Sequence, residues 1–184
     1  MCSSDLEQTT LYTQYNFNEP WDGPSNRKLL DKMPAVLGYP GVDGSPTSVT
    51  DTAYFIFTGN GTALSPPSSS AAVGTMAGIK GTPASSAKPV PIRPEPAGPT
   101  LAEFFDGTSN TILAVEAKRD IPWTKPEDLP FDPNAVLPEL GGYSANGFNA
   151  VFADGAVRFI SKTMDAIVLK ALITRGGGEV IRLD

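Results

Sequence analysis

Three carboxylates stand where carboxylates can do chemistry. Asp106 and Asp154 each precede a glycine, and Glu116 interrupts the apolar stretch 111–117. Oxygen donors of this kind suit a hard cation such as calcium, and a pair at a set separation in a cleft is the machinery of glycoside hydrolysis. The spacing adds nothing to either reading, because no Asp-x-Asp-x-Asp-Gly calcium loop is present. Asp-Gly is also turn chemistry, in which Asp bonds nearby backbone and Gly takes a positive φ. Asp106-Gly107 and Asp154-Gly155 are read as turns.

Other chemistries fall away faster. The 184 residues include no histidine and one cysteine, Cys2. Ser-His-Asp and Cys-His nucleophiles lack their base, Cys/His zinc sites lack their ligands, and one cysteine makes no internal disulfide. Ser86 and Lys88 sit in low-complexity chain with no rigid support. The glycines 176–178 follow a predicted helix instead of opening one, the wrong end of the helix dipole for an anion, and are read as its C-cap. Asn60-Gly61-Thr62 fits a glycosylation sequon but is preferred as a turn. No catalytic residue, cofactor or metal ligand is expected.

The elements that would position these residues are short. Gly and Pro, 18 of each, make up about a fifth of the chain, and only 18% of residues are charged. A net charge of −6 with no basic stretch argues against nucleic acid. The longest apolar run, 53–57, is far below the span of a bilayer, and residues 1–10 have no secretory pattern. Residues 2–6 can be encoded by the end of a common sequencing adapter. Residues 1–6 are accordingly expected to be a non-native leader, with the true N-terminus missing. Residues 7–184 are then one domain, carrying a Pro/Ser-rich insertion at about 65–100 that is expected to lie exposed at the surface.

Along that domain, 7–16 reads as helix tail or loop. A short helix over 26–33 has Ser25 as N-cap, Pro34 as its stop, and Leu29, Leu30 and Met33 on its buried face. Residues 52–58 read as a strand. Stretch 111–117, apolar on both faces, reads as a strand in the middle of a sheet. Residues 120–138 should wrap irregularly, pinned by Trp123, Leu129 and Phe131. Asp154-Gly155 as a two-residue turn joins strands 148–153 and 156–160. That turn pairs Phe152 with Val157, buries Phe148, Ala150, Phe152, Val157 and Phe159 on one face, and turns Arg158 to the other. An amphipathic helix over 163–174 follows, with Met164, Ile167, Val168, Ala171 and Leu172 inward. The fold class is α+β.

Three stretches together resemble one bacterial family: 30–40 (LDKMPAVLGYP), 106–112 (DGTSNTI) and 148–160 (FNAVFADGAVRFI). This is the domain-of-unknown-function 1559 family, whose members are similar to type IV pilins and type II secretion pseudopilins. The resemblance runs from about Leu11 to Ile181 outside the insertion. The motif positions it singles out are Asp106, Gly107, Thr108, Ser109, Asn110, Asn149, Asp154 and Gly155, with no chemistry assigned. The family's processing-associated motif is a histidine, nine residues, then Asp-Gly. Here the histidine position holds Ser144, or Tyr143 if one residue is inserted, so a role resting on an imidazole does not carry over. Members usually begin with a prepilin-type leader and a long apolar helix, absent from this chain.

The resemblance implies a pilin-like antiparallel sheet with a C-terminal hairpin and helix, its N-terminal anchoring helix missing. It implies a non-enzymatic structural protein of the cell envelope, extracytoplasmic and membrane-anchored when full length. Self or other pseudopilins would be its partners through that helix. The alternative is an extracytoplasmic binding module for a small solute or glycan, for which Trp21, Trp123, Phe131 and Tyr143 are candidate aromatic contacts.

Overall fold

The computed structural model describes residues 9–40, 48–65 and 99–178. The expected leader and most of the insertion, together with 41–47 of the loop before the first strand, lie outside those residues. Mixed helix and antiparallel sheet confirm the α+β class. Among the described residues two α-helices, α1 (Thr9–Gln14) and α2 (Ala166–Ile173), accompany six strands: β1 (Tyr54–Phe55), β2 (Phe57–Thr58), β3 (Ile112–Glu116), β4 (Leu129–Pro130), β5 (Gly147–Phe152) and β6 (Val157–Ser161). The main sheet is antiparallel in the order β1-β3-β5-β6, and β2 pairs with β4 in a separate parallel ladder.

The central strand is where its two apolar faces predicted, with β1 on one side and β5 on the other. The expected strand 52–58 divides. Its first half joins the main sheet, and Phe57 and Thr58 turn to meet Leu129 and Pro130. One cluster of buried side chains joins Phe55, Val115, Phe148, Ala150, Phe152 and Ile160 from the sheet to Leu172 and Ile173 from α2 and to Phe57, Leu129 and Phe131. Leu129 and Phe131 therefore pin the irregular segment, as expected, and Trp123 Nε1 holds it to the Leu30 carbonyl at 3.0 Å.

The hairpin forms from the expected strands with a different register. Val151 pairs with Val157, Ala150 with Arg158 and Phe148 with Ile160. The loop has three residues, Ala153, Asp154 and Gly155, closed by Gly155 N–H to Phe152 O and Phe152 N–H to Ala156 O, both 2.9 Å. Gly155 takes φ +85°, the left-handed residue of a three-residue loop. The physical reason is Ala153, whose N–H donates to Thr111 O at 2.8 Å and so is unavailable to β6. One residue of slip exchanges the faces of β6. Ile160 goes inward, while Val157 and Phe159 are 65% and 55% exposed. Arg158 lies on the core side, its guanidinium 4.4 Å from the Phe152 ring and donating to Ser109 O.

Three helix-end expectations also change. Residues Asn26–Lys32 form a 3₁₀ helix in which Ser25 has helical dihedrals and makes no side-chain cap. Asn26 is fully buried and ties down the preceding loop, its amide donating to Asn16 O and Pro20 O and its oxygen accepting from Asn16 N–H. α2 is capped by Asp165, which accepts from Ile167 N–H at 2.7 Å, and it ends at an extended Thr174. Glycines 176–178 are thus not its C-cap. With the helix starting three residues later, Ile167 is 77% exposed, and Leu172 and Ile173 carry the buried face.

Candidate functional site

The main sheet has two unlike faces. The inner one is core. On the outer one, pairing aligns Tyr54, Glu116, Asn149 and Phe159 across β1, β3, β5 and β6. Glu116 is only 5% exposed. Its carboxylate accepts from the backbone N–H of Asn149 at 2.8 Å and from the Asn149 side-chain amide at 2.9 Å. A carboxylate can stay buried only when its lone pairs are met, and one asparagine meets two of them.

Beside this pair, Tyr39 and Tyr143 stack face to face, 4.2 Å between centroids and 4° from parallel. Tyr143 reaches the sheet because Gly141, at φ +73°, bridges Ala117 and lets the chain run alongside the end of β3. The Tyr143 phenol is pushed above its ordinary value of 10.0, first by burial and then by Asp120, Asp51, Tyr54 and Glu116. Tyr54 is raised as well, by burial, Glu116 and Tyr39. These phenols are neutral donors facing negative charge.

Tyr54 also lines an open cleft of about 460 Å³. Tyr12, Tyr15, Phe17 and Trp123 form much of its wall, with Lys125, Glu127 and Asp128 supplying charge. Tyr15 O–H donates to Thr124 O, and its ring lies 5.0 Å from that of Phe17. Aromatic walls with a few polar groups are the usual composition of a small-molecule site.

The other motif residues assemble elsewhere. Stretch 106–111 folds on itself, Asn110 Nδ2 donating to Asp106 O and Thr111 Oγ1 to Gly107 O, with Gly107 at φ +89°. It then receives the hairpin: Asp154 N–H donates to Thr108 O, and Arg158 reaches Ser109 O. Asp154 behaves as a turn residue, its carboxylate accepting from Ala156 N–H. Asp106 does not. Its carboxylate accepts from Gly177 N–H at 2.7 Å and Gly178 N–H at 2.8 Å. The glycine run holds an anion after all, the chain's own carboxylate.

Asp106, Glu116 and Asp154 therefore go to separate partners. Among the described residues no three His, Cys, Asp or Glu side chains gather as a metal-binding group. Of the aromatics named from sequence, Tyr143 and Trp123 reach the site. Phe131 is core against Phe57, and Trp21 lies under Lys125. Tyr12, Tyr15, Phe17, Tyr39 and Tyr54 are the aromatic contributors sequence reasoning missed. Their aromatic type was the only signal. Of the two positions standing for the family histidine, Tyr143 joins the stack and Ser144 accepts from Asn146 N–H in a turn.

Residues 5–138 match the family model described as protein of unknown function (DUF1559). The chain belongs to the DUF1559 family. The matched span includes Tyr39, Tyr54, Glu116, the cleft and the 106–112 motif, and ends before the hairpin and α2. No curated protein and no solved structure matches this DUF1559 chain. No helix among its described residues is long and apolar enough to cross a membrane.

Proposed function

We propose that this DUF1559 chain is the displayed head of an exported, pilin-like structural protein of the cell envelope, without enzymatic activity. A long apolar N-terminal helix would anchor the full-length protein and pack it with copies of itself or other pseudopilins. The observation that supports this reading is the two-sided sheet. One face is closed by α2 and the core, and the other carries exposed Val157 and Phe159 beside half-buried Ala114 and Val151. The apolar part of that face, on the β6 side of the Glu116–Asn149 pair, is where a long helix would lie. Fractionating cells that express the intact gene tests it. The expected product stays with membranes through salt washing and is released by detergent. A monomer released by salt alone would overturn the reading.

The cleft favours a second reading, an extracytoplasmic binding module for a small solute or glycan. Sugars present C–H faces to aromatic rings and hydroxyls to carboxylates, and the cleft supplies both. A thermal-shift screen against sugars and small anions tests it. The expected result is concentration-dependent stabilisation, reaching about 2.7 kcal/mol at a hundredfold excess over Kd, and its loss in Trp123→Ala.

A further inference from the structure

We propose that Asn60 is a self-modification site, at which the Gly61 backbone nitrogen displaces the Asn60 side-chain amide and converts the residue to aspartate and isoaspartate. This chemistry is independent of how the full-length protein is anchored and of what it binds.

Only Asn60 and Asn146 are followed by glycine, and a glycine leaves its backbone nitrogen unshielded by a Cβ. The fold treats the two asparagines differently. Asn60 is exposed in the turn after β2, and among the described residues no hydrogen bond reaches its backbone or its side chain. Nothing among them accepts from Gly61 N–H either. The space beside Gly61 is open, since a Cβ there would meet only a Thr174 methyl, at 3.9 Å. Asn146 is exposed too, but it is held at both ends. Its N–H donates to Ser144 Oγ at 3.3 Å, and its C=O accepts from Lys162 N–H at 2.9 Å. Gly147 then opens β5 with no room for a Cβ beside Ile160 O. The side-chain amides of Asn26, Asn110 and Asn149 are all committed to hydrogen bonds. The turn at Asn60 also hides the hydroxyl of Thr62, which is fully buried and donates to Gly59 O at 3.0 Å. The folded sequon is thus not offered to a glycan, and the asparagine is left to its own chemistry.

The step balances with water alone. Hydroxide takes the Gly61 N–H proton, the nitrogen bonds to Asn60 Cγ, and the Cγ–Nδ2 bond breaks to release ammonia. Water then opens the cyclic imide at either carbonyl. One opening gives aspartate. The other gives isoaspartate, whose main chain runs through Cβ and is one carbon longer. That carbon falls beside an anchor. Gly61 O accepts from Arg175 N–H at 2.9 Å, and Thr62 O accepts from the buried Arg175 guanidinium at 3.0 Å. Isoaspartate at position 60 displaces these acceptors and loosens the chain that follows α2.

The test incubates the full 184-residue chain, folded, in mildly alkaline buffer. Peptides spanning 60 and 146 are followed by mass spectrometry and by isoaspartate-specific methylation. Asn60 should convert at least tenfold faster than Asn146, whereas in urea the two should convert at similar rates. Asn60→Gln should remove the fast conversion. In the isoaspartate fraction, hydrogen exchange at Arg175 N–H should rise at least tenfold. In Asn60→Asp, whose main chain keeps its normal length, it should not. Equal rates at the two sites in the folded chain, or Asn60 intact after Asn146 has converted, would overturn the proposal. So would an isoaspartate form in which Arg175 N–H stays protected.

Discussion

Glu116 and Asn149 face each other across β3 and β5, and one carboxylate holds both N–H groups of the opposite residue. The contact clamps the second and third strands of the main sheet on its outer face. Truncating Glu116 leaves a desolvated donor pair, which costs about 1–3 kcal/mol. Glu116→Ala should lower stability by that amount in urea denaturation. Asn149→Ala should cost less, because the carboxylate keeps the backbone N–H.

Tyr143 makes the domain sensitive to alkali. Its phenol is raised above 10.0 in the folded state, first by burial and then by four negative or ionisable neighbours. The folded state thus binds more protons than the unfolded one above pH 10, and stability falls with rising pH there. The contribution is complete below pH 10 and is lost as pH climbs through the raised value. Tm measured across that window should drop less steeply in Tyr143→Phe, with phenolate absorbance appearing at correspondingly higher pH in the parent.

Asp106 fastens the chain after α2. In Asp106→Ala the amides of Gly177 and Gly178 lose their acceptor, and their hydrogen exchange should accelerate together while β5 and β6 stay protected. The two glycines are exposed, so the stability cost should be only about 1 kcal/mol. Asp106→Asn, with one acceptor oxygen in place of two, should fall between.

Two glycines of the hairpin should respond unequally to alanine. A Cβ at Gly147 would sit 2.1 Å from Ile160 O and 2.7 Å from the Phe159 ring. Gly147→Ala should therefore cost about 3 kcal/mol, at the high end of overpacking. A Cβ at Gly155 meets nothing within 4 Å, so Gly155→Ala carries only the strain of φ +85°, about 1 kcal/mol. Thermal denaturation of the pair checks the order.

What could be read from sequence follows the range of the forces involved. Stretch 111–117 is a middle strand because both of its faces are apolar, and the hairpin strands are where Asp154-Gly155 and alternation put them. The faces of β6 were not legible, since a bond from Ala153 to Thr111, far back along the chain, decides between a two- and a three-residue loop. Asp106 looked like a turn residue because its local context is one, yet its carboxylate serves glycines some seventy residues later in the sequence. The Tyr39–Tyr143 stack has no local cause at all. The motif stretches were visible from the residues, and the division of labour among them was not: 106–111 and 153–158 brace one another, whereas Asn149 and Tyr143 build the outer face.

The hold of Thr108 and Thr111 on Asp154 and Ala153 also sets an order in time. During synthesis the template at 108–111 emerges before the hairpin it orients. Before it docks, the nascent hairpin has a local choice between two loops, one of which would bury Val157 and Phe159 and turn Ile160 out. The correct choice is written in chain already made, so this hairpin is settled by docking rather than by its own turn.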